Sequence, residues 1–340
     1  MNGHLRPGHV RRGAFTATFV VGALAVLTVP SAAADPGPAG VIERARSASA
    51  DTTIAGTIEV QWLEDGRYHV ERAGARADGT SFIVGRGDRR AVGTDGVRWL
   101  PDAEEPDTGE AVAWGSAPTP DPDAAWDLDL GRSSSVAGRA AIVVRARDED
   151  GAVRARFFVD EDTDVLLRRD VLDRDGTVIR SVRFTQIRLA EGSPAVPSPP
   201  TRSPAVPQPP SDDDGSESFP APEHLDPGFR LLGRYLHPDG AIQLFYADGL
   251  FSLSVFEQAG VVDWSSIPAG GVRGEVGGNR AHTFATATGT VVVWGTDDVV
   301  LTAISDAPPD AVAVALEGVK ASRGFFPRAA DFVLGPFGWD

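Results

Sequence analysis

Between Glu191 and Pro222 the chain reads EGSPAVPSPPTRSPAVPQPPSDDDGSESFPAP, with ten prolines and one aromatic residue, Phe219. No core can be built from such a stretch. Proline removes backbone donors and fixes φ, and almost nothing here is large and apolar. The composition predicts an extended, semi-stiff spacer. It divides the chain into a folded part over residues 35–190, a linker over 191–222 and a second folded part over 223–320, with a tail over 321–340. A tether is the plain reading of the linker. A proline-rich docking ligand would need an exported partner with an aromatic groove.

The chain begins with Arg6, Arg11 and Arg12, then an uncharged apolar stretch from Ala14 to Val29, then Pro30 and SAAAD. That is the form of a secretory signal peptide over residues 1–34, with cleavage after Ala34. A retained anchor is the rival, but the apolar stretch is short of the roughly 20 residues that span a bilayer. The general export route fits the flanks better than a twin-arginine signal. The protein is therefore expected outside the cytoplasm, in the periplasm or cell envelope. There is no cysteine, which excludes disulfides, thiol chemistry and lipid attachment through sulfur. The formal net charge is −16, and Lys320 is the one lysine, so arginine carries the remaining positive charge. A balance this acidic argues against a nucleic-acid partner, although it leaves room for a local basic patch.

Before the linker, PAGVIERARSASAD is the one good helix candidate, with Ile42, Ala45 and Ala48 at helical spacing. Strand patterns follow. TTIAGTIEVQW places Ile54, Ile58, Val60 and Trp62 on one parity, and RYHVERA and SFIVG are shorter candidates. RRAVGTDGVRWL reads as a hairpin turning at Asp95-Gly96. Further strands are expected in AWDLDL, AAIVVRARD, VRARFFVD, DVLLRRDVL and TVIRSVRFTQIRL, with turns at RDEDGA, DEDTD and DRDG. In the last of these strands Val178, Val182 and Phe184 share a parity that Arg180 interrupts. Many strands and one early helix predict a mainly β (α+β) fold, an antiparallel sheet curled around a helix. After the linker, GAIQLFYADGLFSLSVFEQ is a hairpin about Asp248-Gly249, and AHTFATATGTVVVWGTDDVVLTAIS supplies three more strands. APPDAVAVALEGV predicts a terminal helix that Pro309 and Asp310 start and Gly318 ends. The aromatic tail GFFPRAADFVLGPFGWD either packs back on the sheet or forms a docking segment.

No enzyme motif is present: no G-x-S-x-G elbow, no H-E-x-x-H and no nucleotide-binding glycine loop. GGVRGEVGG, from Gly270 to Gly278, has the wrong spacing for a phosphate loop and no helix pattern after it. His69, His224, His237 and His282 are scattered, unlike a zinc ligand set. Asp160, Asp162 and Asp164 have the spacing of a calcium loop, but Val165 stands where the sharp-turn glycine belongs, and Val171 where the closing glutamate belongs. A solvated acidic turn is the alternative. No cofactor, metal or catalytic residue is expected.

The stretch from Val136 to Leu189 resembles the N-terminal domain of the MucB/RseB family of sigma-E factor regulatory proteins, a domain itself similar to LolA-type lipoprotein carriers. VAGR, FFVDEDTDVLLRRDVLD, the DRDG turn and RFTQIRL carry the resemblance. The family usually has a glycine where Asp164 stands. LDPGFRLLGRYLHPDGAIQLFYADGLFSLSVFEQAG resembles the opening of the family's C-terminal domain, and VVLTAISDAPPDAVAVALEGV its close. Residues Trp99 to Asp129 match poorly, and the linker and aromatic tail depart from the pattern. The resemblance implies a LolA-like antiparallel half-barrel joined to a second, smaller β domain. It also implies a non-enzymatic exported regulator that binds the extracytoplasmic part of a membrane anti-sigma factor and modulates envelope-stress signalling, with a lipid-like ligand.

Three readings follow. A regulator needs a partner surface, and the hairpin FYADGLFSLSVF offers Phe251 and Phe256 as candidate anchors, with core packing as their alternative. A lipid or lipoprotein carrier needs an apolar cavity. Its candidate lining is Ile54, Ile58, Val60, Trp62, Phe82, Val84, Trp99 and Phe157, which are equally candidates for plain core. An exported hydrolase with a site assembled from distant residues has no motif in its favour. The linker is expected to act as a spacer that lets both parts engage one partner. The rival is that the two parts pack into one unit.

Overall fold

The computed structural model describes residues 37–77, 82–86, 89–93, 125–190, 221–236, 241–296 and 298–320. The expected signal peptide, Trp99, the expected turn at Asp95-Gly96, His237, residues 191–220 and the aromatic tail from Ala321 on lie outside the described residues.

Helix α1 covers Pro38–Asp51, the expected segment, with Pro38 in its first turn, where a missing N–H costs nothing. Val41, Ile42 and Ala45 are buried on one side of it. Strands β1 (Thr53–Glu64) and β2 (Arg67–Ala77) form a hairpin about Asp65 and Gly66, both at positive φ. β3 (Phe82–Arg86) and β4 (Arg89–Gly93) extend that edge. β5 (Asp127–Leu130), β7 (Arg139–Arg147), β8 (Val153–Asp160), β9 (Leu166–Leu172) and β10 (Val178–Ala190) follow the strand patterns closely, and β6 (Ser134–Val136) is a short addition paired to β7. The strand order is β4-β3-β2-β1-β10-β9-β8-β7-β5, with antiparallel pairing throughout. Helix α1 packs over the β5–β9 half, where its buried side chains meet Val144, Phe157, Val159 and Val171.

The second sheet holds β11 (His224–Leu225), β12 (Phe229–Leu236), β13 (Ile242–Ala247), β14 (Ser252–Ala259), β15 (Val272–Val276), β16 (Asn279–Thr286), β17 (Gly289–Gly295) and β18 (Val299–Ser305). Its order is β11-β12-β13-β14-β18-β17-β16-β15. The glycine-rich segment is part of this sheet: Gly277 and Gly278, at φ 57 and 78, make the tight turn of the β15–β16 hairpin. Helix α2 (Pro309–Glu317) closes one face with Val312, Ala315 and Leu316 buried. The other face carries a smaller cluster of Val262, Phe284, Val291, Val293 and Val300.

The two sheets share one apolar cluster. It runs from Val41, Trp126 and Phe157 to Phe251, Leu253, Trp294 and Leu316 without a break. The packed arrangement is thus the one observed.

The acidic turn between β8 and β9 is closed by its own chain. Asp160 Oδ1 accepts from Asp162 N, Thr163 N and Thr163 Oγ1, while Arg139 grips the same carboxylate. Asp164 sits at φ 57, a conformation that a glycine would take without strain, and its carboxylate is 3.1 Å from Arg44 Nε on α1. A left-handed non-glycine residue costs roughly 1–2 kcal/mol. The ion pair it makes ties the turn to the helix.

Candidate functional site

The most elaborate polar arrangement lies in the seam between the sheets. Arg169 is at its centre. β9 presents Leu167, Arg169 and Val171 at alternate positions, so a guanidinium stands in an otherwise apolar row. Its Nη1 donates to Asp306 Oδ2 at 2.6 Å and its Nη2 to Leu250 O at 2.8 Å. The same guanidinium lies 5.5 Å from the ring centre of Phe157 in the first sheet and 4.8 Å from that of Phe251 in the second. Cation–π contacts of this kind gain strength when desolvated.

Asp306 is fully engaged. Its Oδ1 accepts from Ser252 N at 2.7 Å and from Ser252 Oγ at 3.2 Å, while Oδ2 takes Arg169. Arg180, the residue that interrupts the apolar parity of β10, donates through Nε to Ala287 O at 2.8 Å. Burial lowers its pKa to about 10, and Asp306 opposes that shift. Arg46 of α1 donates to Gly249 O at the tip of the β13–β14 hairpin. Arg154 and Arg174 both ion-pair with Asp310 in the first turn of α2. Four elements of the first sheet and its helix thus hold the hairpin tip, the β16–β17 turn and the start of α2.

Asp248 shapes the hairpin tip. One carboxylate oxygen accepts from Leu250 N at 2.8 Å and Phe251 N at 2.7 Å, a local turn that delivers Phe251 into the seam. Burial pushes its pKa up to about 6, partly offset by those two bonds, and the Asp306 charge adds to the rise.

The candidate anchors separate. Phe251 is 2% exposed and meets Trp126 edge-on at 5.3 Å, so it is a core residue of the seam and not a free surface. The turn at Asp248 drives it inward. Phe256 is half-buried on β14, opposite Gln243 and Thr302, one position out of phase with the buried Val255. The two phenylalanines do not share a surface.

Of the candidate cavity residues, Ile54, Ile58 and Val60 are brought together in one buried cluster with Phe184 and with Ala287 of the second sheet. Trp62 is half-buried at the edge of that cluster and stacks on His69 at 5.3 Å. Phe157 belongs to the other cluster, under α1 and Arg169. Phe82 and Val84 lie on β3, their backbones opposite Ala77 and Ala75.

The histidines stay apart. His69 pairs with Glu64, His224 is exposed on β11, and His282 is buried edge-on to Trp264 and Phe284. Burial, with help from Arg273 and Arg280, lowers the pKa of His282 and favours its neutral form. Among the described residues no three His, Cys, Asp or Glu side chains are grouped to hold a metal. No helix among them is long and apolar enough to cross a membrane.

Residues 117–207 match the family model described as the MucB/RseB N-terminal domain. The resemblance carried by VAGR, FFVDEDTDVLLRRDVLD and RFTQIRL lies within that match. No curated protein matches the chain. Among solved structures, the chain is similar to one titled the complex structure of Pseudomonas aeruginosa MucA/MucB. The identity is 22%, over 82% of this chain and 97% of that one, with a TM-score of 0.49. A structure titled crystal structure of MucB gives 22% identity over 82% of this chain and 96% of that one, with a TM-score of 0.48. A putative outer membrane lipoprotein-sorting protein domain from Vibrio parahaemolyticus gives 10% identity over 46% of this chain and 93% of that one, at a TM-score of 0.20.

Proposed function

We propose that this protein is an exported, non-enzymatic regulator that binds the extracytoplasmic segment of a membrane anti-sigma factor and so modulates envelope-stress signalling. The observation that carries the reading is the match of residues 117–207 to the MucB/RseB N-terminal domain. It occurs in a chain whose second sheet is locked onto the first through Arg169, Asp306 and Phe251. A regulator of this kind needs a defined resting state that a partner or ligand can bias. A seam built from desolvated charge and aromatic contacts supplies one, because it is either fully formed or costly to leave half-formed. The polar work of the seam goes into holding the sheets together, which supports a binding protein over a hydrolase.

A lipid-like ligand, the other implication of the resemblance, would act at the same place. The Ile54–Ile58–Val60–Phe184 cluster is covered in part by Ala287 of the second sheet, so a ligand on that apolar surface would compete with the β16–β17 turn. Its differential affinity for the open and closed arrangements would set how far it shifts the equilibrium.

The test is a titration of the purified whole chain with extracytoplasmic segments of the membrane anti-sigma factors of its own cell. Saturable binding to one of them, altered in affinity by Phe251→Ala, is the expected result. Absence of binding to any of them would overturn the reading.

A further inference from the structure

The face of the first sheet turned away from Phe157 and Val60 carries a different arrangement of arginines. Cross-strand register puts their positions on one side. Arg72, Glu59, Arg183 and Arg168 stand opposite one another on β2, β1, β10 and β9. One step along, Ser181, Asp170, Arg156, Arg145 and Asp129 do the same from β10 to β5. Residues directly opposite in register share a face.

On this face each of three carboxylates is gripped by two arginines. Glu59, almost wholly buried, is held by Arg72 at 2.6 Å and Arg183 at 2.5 Å. Asp170, with no exposed surface, is held by Arg168 at 2.7 Å and Arg156 at 3.3 Å, and also accepts from Ser181 Oγ. Asp129 is held by Arg145 and by Arg147 at 2.7 Å. The Glu59 and Asp170 sets each keep one positive charge in excess, while Asp127, opposite Arg147, neutralises the third. Exposed Arg188, opposite Ala55 on the same side, adds a further positive charge. At the far end of β7 and β8, Arg139 is matched by Asp160 and Asp162, so the excess is confined to the middle of the sheet.

We propose that this face is a docking surface for an extended acidic polypeptide segment. The inference goes beyond the proposed function and does not depend on it, because the face lies on the opposite side of the sheet from the seam. The carboxylates lie beneath and the guanidiniums reach outward, with Arg72 69% and Arg183 43% exposed. Spare N–H donors on a planar fork are suited to a second carboxylate.

The spacing fits an extended chain. Glu59 on β1 and Asp170 on β9 are two strand positions apart, and Asp129 on β5 is three further on. Asp170 is also offset from Glu59 by two residues along the strands. At about 4.8 Å per strand and 3.3 Å per residue the steps are roughly 12 and 14 Å, or about four residues of extended peptide each. Tyr68 and Val70, 49% and 51% exposed, lie on the same side of β2. An arginine and tyrosine surface with an apolar margin is the composition of a protein-binding patch.

The net charge of −16 selects against larger polyanions. A membrane plane or a nucleic acid would also face the acidic remainder of the molecule. A peptide that stays within the patch is shielded from that remainder beyond a Debye length of about 8 Å.

The test uses the whole chain and two fluorescein-labelled peptides, a Glu-Gly-Ser-Gly repeat and its Gln-Gly-Ser-Gly counterpart, followed by anisotropy. Binding of the glutamate peptide alone is expected, weakening steeply as salt rises. Arg72→Gln with Arg188→Gln should weaken it about tenfold. Both side chains are exposed, and circular dichroism would confirm that the double variant is folded. Equal binding by variant and parent would overturn the proposal, as would failure of the glutamate peptide to bind. Sedimentation with phosphatidylglycerol vesicles, without peptide binding, would assign the face to a membrane and overturn it too.

Discussion

The two faces of the first sheet use the same residue in opposite ways. In the seam, Arg169 and Arg180 are buried and spend their donors on Asp306, Leu250 O and Ala287 O in the second sheet. On the outer face, Arg72, Arg183, Arg145 and their neighbours sit above carboxylates of their own sheet and keep donors turned to solvent. The difference is desolvation. A guanidinium taken out of water needs its lost hydration offset by partners, and its removal exposes the cost of the charge it answered. A guanidinium left in water contributes little to stability and remains available for binding. An arginine-rich strand therefore does not by itself declare a ligand surface; the parity of each arginine decides.

The comparison breaks most visibly at Arg169. Arg169→Ala strands Asp306 in the seam and should cost about 3–5 kcal/mol, the usual range for half of a buried pair. Urea unfolding would measure it. Phe251→Ala empties a site beneath the same guanidinium and should cost about 3 kcal/mol. Phe256→Ala, half-buried on the other side of β14, should cost clearly less in the same assay.

Acidity should separate the two regions. Burial raises the Asp248 carboxyl from 3.8 to about 6. Its stabilising contribution is therefore complete below about 4 and lost as the pH rises through about 6. On the outer face, burial alone would raise Glu59, but the bonds from Arg183 and Arg72 more than offset it and hold the carboxyl below 4.5. Asp129 is likewise held below 3.8 by Arg147 and Arg145 against burial. Those contributions are present above the ordinary carboxyl range and lost as the pH falls through the lowered values. Urea midpoints from about pH 2 to 8 should show Asp248→Asn, which keeps the acceptor for Leu250 N and Phe251 N, flattening the limb around pH 6. Glu59→Gln should flatten the acid limb instead. The smallest effect belongs to Arg72→Gln, expected within about 1 kcal/mol of the parent because Arg183 still holds Glu59.

Much of this was legible in the sequence. Alternation placed β1, β7, β8, β13 and β14, and proline, aspartate and glycine bounded α2. The seam was not legible as a seam, yet its marks were present. Arg180 breaks an apolar parity, and Arg169 shares its parity with Leu167 and Val171. A charge at an inward position implies a partner across the core, but the partner, Asp306, is 137 residues away, and only the fold brings it near. Phe251 was a candidate anchor as an aromatic residue in a hairpin, with core packing as its alternative, and alternation alone did not decide between them. Asp248 turns that residue inward. The β15–β16 hairpin was hidden because Gly277 and Gly278 dilute the strand pattern that they serve to connect.

The most direct test of the central claim, that buried arginines make one unit of two sheets, is hydrogen exchange followed by mass spectrometry through a urea series. In the parent chain, peptides from β8–β10 and from β13–β18 should lose protection together at one urea concentration. In Arg169→Ala they should separate into two transitions. Two independent transitions in the parent would contradict the account, as would one unchanged transition in the variant.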